Sequence, residues 1–114
     1  MGLSLRGHPV GLARGRLASC ALSIAALGGV MPGTTVTIAG LVVSRQRPGS
    51  AKGLMFLLLE DETGTASVIV SPETAQRFRV LVLRSALVLV KGVLERTPEK
   101  VQHIRAREFA RMPV

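Results

Sequence analysis

From Thr34 onward the chain repeats with a period of two. Val36, Ile38, Gly40 and Val42 alternate with Thr37, Ala39, Leu41 and Val43, which predicts a first strand directly after the turn signal Pro32-Gly33. Arg45 to Gly53 carries Pro48-Gly49 and a further glycine and reads as a loop, followed by a second apolar strand from Leu54 to Glu60. The run Glu60-Asp61-Glu62-Thr63-Gly64 is a tight turn whose glycine tolerates positive φ, and Thr65 to Val70 is a third strand. At Ser71 the pattern changes. Serine caps helices, Pro72 suits the first turn and Glu73 complements the positive helix end, so a helix is predicted to about Val82. Ala75, Phe78 and Val82 share one face of it, while Gln76, Arg77 and Arg79 point outward. Leu87 to Arg96 forms a fourth strand, Thr97 to Lys100 a turn and Val101 to Phe109 a fifth strand.

Three strands, a helix and two more strands is the order of a mainly β, five-stranded Greek-key barrel of the OB type, with its helix bridging strands three and four. The first thirty residues read differently, as one or two short helical pieces with Pro9 near the first and Gly28-Gly29 closing the second. The predicted organisation is an N-terminal helical extension or linker over 1–33 and a nucleic-acid-binding barrel over 34–112.

Composition narrows the function. A chain of 114 residues supports one modest core and is too short for a polymerase, synthetase or helicase catalytic unit. Fifteen Lys plus Arg oppose seven Asp plus Glu, for a net charge of +8, and twelve of the fifteen are Arg. Such a balance favours an anionic partner, because Arg grips phosphate bidentately and each neutralised phosphate releases counterions. An Arg-rich genome is the plainer explanation of the same charge. Cys20 is the single cysteine, so no intramolecular disulfide or cysteine zinc site is available, and a reducing, cytoplasmic setting is expected. Leu17 to Val30 superficially resembles a secretory segment, and Leu17-Ala18-Ser19-Cys20 a lipobox. The apolar stretch that a lipobox needs before its cysteine is replaced by RGHPVGLARGR, however, and no small-x-small cleavage site follows Gly29. Arg84 and Lys91 interrupt the longest apolar candidate before the roughly 20 residues of a membrane helix, so no membrane partner is expected.

Catalytic residues are scarce. Asp61 is the single aspartate, in a turn beside Glu60 and Glu62, whereas two-metal phosphoryl transfer needs several converging carboxylates. The three acids shape a turn, with an exposed divalent-cation contact as the lesser alternative. His8 and His103 lack acids at ligand spacing, and no phosphate loop or nucleophile motif is present, so no catalytic residue, metal or cofactor is assigned. Binding has better candidates. Arg45, Arg47 and Lys52 crowd the loop between strands one and two, with Gln46 able to reach a base edge, although such loops are often simply solvated. On strand five His103, Arg105 and Arg107 alternate with Ile104, Ala106 and Glu108, giving a basic stripe that Lys91 and Arg96 of strand four, with Lys100, could extend. Aromatic platforms are few: three Phe, no Trp and no Tyr. Phe56 is one if Leu57 and Leu59 face the barrel interior, and core if the phase is reversed. Phe78 suits the buried helix face and Phe109 the end of strand five.

The segments AGLVVSRQRPGSAKGLMFLLLEDETG, SPETAQRFR, LVLVKG and VQHIRAREF, with LRGHPVGLAR upstream, resemble the C-terminal OB domain of error-prone, alpha-type bacterial DNA polymerase III subunits. More distantly, the strand and turn pattern is similar to the anticodon-binding OB domains of class II aminoacyl-tRNA synthetases. The polymerase resemblance implies binding of single-stranded DNA near a polymerase during lesion bypass and repair synthesis, with polymerase or mutagenesis-complex proteins as further partners; RNA is the alternative ligand. By position it carries over Arg45, Gln46, Arg47, Lys52 and Phe56, and Ser67 where a larger polar residue is expected on strand three. The PHP, palm, fingers and helix-hairpin-helix regions have no counterpart, so the chain looks like a detached or truncated tail that should not polymerise DNA.

Overall fold

The computed structural model describes residues 9–12, 14–17, 21–47, 53–99 and 101–112. Cys20, Lys52 and Lys100, singled out above, lie outside the described residues. Five strands, β1 (Thr35–Gln46), β2 (Met55–Asp61), β3 (Gly64–Val70), β4 (Leu87–Arg96) and β5 (Gln102–Arg111), close into a barrel in the order β1-β2-β3-β5-β4. All pairings are antiparallel except β3 with β5. The fold is therefore the expected OB-type barrel, in which closure leaves no unpaired edge. None of the described helices is long and apolar enough to cross a membrane.

Alternation builds the core. Val36 and Ile38 of β1, Met55, Leu57 and Leu59 of β2, Val68 and Val70 of β3, Val88, Val90 and Leu94 of β4, and Ile104 and Phe109 of β5 all point inward and are buried. On β5 the phase changes part-way: Lys91 pairs with Glu108 but Gly92 pairs with Ala106, so Arg107 is bulged out. Glu108 consequently sits exposed with Arg107 rather than on the apolar face with Ile104 and Ala106, and Phe109 turns into the core. The two backbones are drawn together at this bulge. A Cβ on Gly92 would lie 2.3 Å from the carbonyl oxygen of Arg105, so only glycine fits.

The single helix expected from Ser71 to Val82 is two short ones, α3 (Pro72–Arg77) and α4 (Arg79–Arg84), labelled after α1 (Pro9–Leu12) and α2 (Arg14–Leu17). The Ser71 hydroxyl accepts from the Thr74 amide at 3.2 Å, as a cap should. Phe78 breaks the helix at φ −114°, ψ 38°, a kink that lets its ring pack 6.1 Å from that of Phe109 while Ala75 and Val82 stay buried.

Several of the described residues before Thr34 pack against the barrel. A 3-10 helix (Ile24–Gly29) sends Ile24 and Leu27 into the main core, and Leu22 bridges Ile38. Val10 and Ala21 join Ala39 and Met112 in a second apolar cluster against Leu87 and Leu89. This cluster lies on the outside of the β1–β4 half of the barrel, because Ala39 and Leu89 alternate with the inward-facing Ile38, Val88 and Val90.

Candidate nucleic-acid interface

Away from the second apolar cluster, outward positions of β2, β3 and β5 and the end of β1 are partly or fully exposed, among them Gln46, Phe56, Leu58, Ser67, Ile69 and Arg105. Register defines the rows of this face. Gln46 pairs with Phe56, Phe56 with Ile69, and Ile69 with Arg105; alongside, Ser44 pairs with Leu58, Leu58 with Ser67, Ser67 with His103, and His103 with Glu95. Leu57 and Leu59 are 2% and 0% exposed, so Phe56 and Leu58 face outward and are only half-buried. A groove of about 420 Å³ forms where Ser44, Gln46, Phe56, Leu58 and Ser67 meet, with Leu57 beneath. An aromatic ring edged by an amide and two hydroxyls can stack one base and hydrogen-bond its edge.

The charged residues divide into free and committed groups. Arg45 stands in β1 rather than in the following loop, opposite Leu57. Its Nε donates to the carbonyl of Val82 at 2.7 Å and its Nη2 to that of Ser85, so it fastens the C-terminal end of α4 to the barrel. Arg96 is similarly committed: Nη2 donates to the carbonyls of Leu27 and Val30 at 3.1 and 3.2 Å, closing the 3-10 helix. Arg47 is exposed and makes no such bond among the described residues. Arg105 lies in the Phe56 row, held by Glu95, which also accepts from His103 Nε2 at 2.7 Å. Arg107 is exposed at the bulge, and Lys91 lies apart in the row Thr37–Lys91–Glu108.

The hydrogen bond from Arg105, followed by that from His103, holds the Glu95 carboxyl below its ordinary 4.5. Because the folded value is depressed, this contribution to stability is present above 4.5 and disappears as pH falls through the lowered value. At neutral pH Glu95 therefore competes with any phosphate for Arg105. Glu95→Gln is expected to raise single-strand affinity about two- to fivefold by releasing that guanidinium. Fluorescence anisotropy on an oligo-dT would read the change, and unaltered affinity would mean that Arg105 takes no part.

The acidic turn is structural. Asp61 is 3% exposed, its Oδ2 accepting from the Ile24 amide at 2.7 Å and its Oδ1 from the Thr63 and Gly64 amides at 2.7 and 3.1 Å. Arg14 reaches both Asp61 (3.1 Å) and Glu62 (2.7 Å), and the hydrogen bond to Glu62 is the main cause of its raised pKa. Among the described residues no group of three His, Cys, Asp or Glu could hold a metal ion.

A sequence profile described as an OB-fold nucleic acid binding domain matches residues 36–110, which takes in the whole groove and all of the barrel but the first residue of β1 and the last of β5. The chain belongs to this OB-fold family. The chain is 44% identical over 108 residues to the error-prone DNA polymerase of Bradyrhizobium sp. (strain ORS 278), covering 94% of this chain and 9% of that protein. It is 50% identical over 97 residues to the error-prone DNA polymerase of Teredinibacter turnerae, covering 84% and 9%. The chain thus spans about a tenth of the length of the polymerases it matches. Among solved structures, asparaginyl-tRNA synthetase from Pyrococcus horikoshii superposes with a TM-score of 0.57 at 21% identity, over 69% of this chain and 20% of the synthetase. The hypothetical protein ygiW from E. coli reaches 0.62 at 13% identity, over 83% and 92%. At these identities the likeness is one of fold.

Leu58 faces outward with Phe56, as the alternation on strand two implies once Leu57 and Leu59 are inside, but two features of this OB domain are not legible in the sequence. Ile69 pairs with Phe56 on the open face, and Glu95 restrains the basic stripe. Both depend on cross-strand register, which a linear pattern does not contain.

Proposed function

We propose that this OB domain binds single-stranded DNA, acting by binding rather than catalysis, in support of an error-prone DNA polymerase during lesion bypass and repair synthesis in the cytoplasm. The observation that carries the reading is the row Gln46–Phe56–Ile69–Arg105, an aromatic and apolar strip with an amide at one end and a guanidinium at the other. A base stacked on Phe56 brings its edge to Gln46 and its phosphate toward Arg105. Ser44, Ser67 and His103 supply further hydrogen bonds, Arg107 extends the positive edge, and Arg47 and Lys52 attract the backbone around the β1–β2 loop. Lys91 and Arg45 contribute long-range charge only. The polymerase likeness supplies the biological setting, with polymerase or mutagenesis-complex proteins as partners.

RNA is the competing ligand, favoured by the likeness to a tRNA synthetase. The test is anisotropy of a labelled oligo-dT of about 20 nucleotides, titrated at several salt concentrations and challenged with unlabelled duplex DNA and tRNA. Micromolar binding is expected. Its logarithm should fall with log salt at a slope of about −2 to −3, the value for roughly three or four phosphates on a single strand. Competition by tRNA far better than by oligo-dT would transfer the reading to RNA, and absence of binding at low salt would end it in favour of a protein-docking module.

A further inference from the structure

The end of β1 separates two concavities. Gln46 lines the groove beside Phe56, whereas its neighbour Arg47 lines a second cleft of about 370 Å³ shared with Gly53, Pro72, Gln76 and Arg79. The walls of this cleft are fixed by packing. Gly53 takes φ +83°, and a Cβ there would stand 2.9 Å from Pro72 Cγ, so the end of the β1–β2 loop seats directly on the first turn of α3. Arg45 and buried Val82 hold α4 against the barrel on the other side. Among the described residues no carboxylate lines the cleft. Arg14, Arg45, Arg96 and Arg105 are all spent on acids or carbonyls, but Arg47 and Arg79 are exposed and make no ion pair among the described residues. Two guanidiniums converging with a side-chain amide, and no acid to neutralise them, complement a phosphodiester.

We propose that this cleft holds a backbone phosphate of a single strand that has crossed from the β-face over the end of β1. Bases lie against Phe56, the strand passes Gln46, and Arg47 and Arg79 grip a phosphate outside the base-reading groove, with the Gln76 amide donating to it. The inference rests on the single-strand reading above and adds a direction of travel, toward α3 and α4 rather than around the barrel toward Lys91. It also gives a role to an arginine of the bridging helices, which the sequence pattern had left as a solvated outward residue.

Oligo-dT probes from about 4 to 20 nucleotides test it on the full chain. The variants are Arg79→Ala, Arg79→Lys and, as a charge control on an exposed arginine of β5, Arg111→Ala. Arg79→Ala is expected to weaken binding of the long probes about three- to tenfold and to reduce the salt slope by about one, while leaving the shortest probe unchanged. Arg79→Lys should recover part of the loss, and Arg111→Ala should change every length by less than about twofold. If Arg79→Ala matches Arg111→Ala at all lengths while Phe56→Ala still weakens binding, the cleft is not a phosphate site and the β-face reading stands. If the wild-type chain binds no probe at all, both readings fall.

Discussion

Asp61→Ala is expected to destabilise the chain by about 3–5 kcal/mol, the cost typical of removing one partner from a buried, hydrogen-bonded ion pair. The Asp61 carboxylate is buried and accepts from three backbone amides, from the Thr63 hydroxyl at 2.6 Å and from Arg14. Alanine deprives the three amides of this acceptor while Arg14 keeps Glu62, and each unsatisfied buried donor costs about 1–3 kcal/mol. Asp61→Asn keeps one acceptor and should lose about half as much. The loss has a location as well as a size. The Ile24 amide donates to Asp61 and the Ala25 amide to Thr63, so hydrogen exchange at these two positions should accelerate more than in β4 or β5. Denaturant unfolding with native-state exchange measures both. A shift below about 1 kcal/mol would mean that the segment before Thr34 is held by its apolar contacts alone.

Phe56→Ala is expected to reduce affinity for single-stranded DNA by about 1–3 kcal/mol, or roughly five- to 150-fold, the range for removing one base–aromatic stack. Phe56 is half-buried on the open face with its backbone paired on both sides, so truncating it removes the platform without opening the core. Phe56→Tyr should retain most of the affinity, since the ring face is preserved. Phe109→Ala provides the contrast. That ring is 4% exposed, and its removal should lower stability by about 3–5 kcal/mol. The salt slope separates stacking from charge. A Phe56→Ala variant should bind more weakly at every salt concentration with an unchanged slope, because no phosphate contact is lost. Equal affinity of wild type and Phe56→Ala would remove base stacking from the proposal and leave electrostatics as its whole basis.

The legible part of the fold is that governed by local periodicity. Alternation in Val36–Val42 and Leu87–Arg96, the turn at Glu62-Thr63 and the Ser71-Pro72 helix start each place an element to within a few residues, because those signals act between neighbours in the chain. β1 nevertheless runs to Gln46, beyond the expected loop start, because pairing with Leu57 and Phe56 extends it against the propensity of a polar, charged stretch. The helix breaks at Phe78 because burying that ring against Phe109 outweighs a continuous hydrogen-bond ladder. The expected alternation on β5 fails at Arg107, where a bulge required by the close approach at Gly92 shifts the phase.

For the interface, residue types were legible but their partners were not. Phe56 and Ser67 are separated in sequence, yet their strands pair, and they line one groove. Arg45 and Arg47 differ by two positions and have opposite fates, one fastening α4 and the other lining an open cleft. By itself the sequence determined the barrel class and the basic character, since these follow from period and composition. Only the tertiary structure decided where Val10 and Ala21 pack on the barrel, which arginines are committed to acids or carbonyls and which face Phe56 presents. Those outcomes depend on contacts between residues distant in the chain, and a one-residue change in register or a single bulge reverses them.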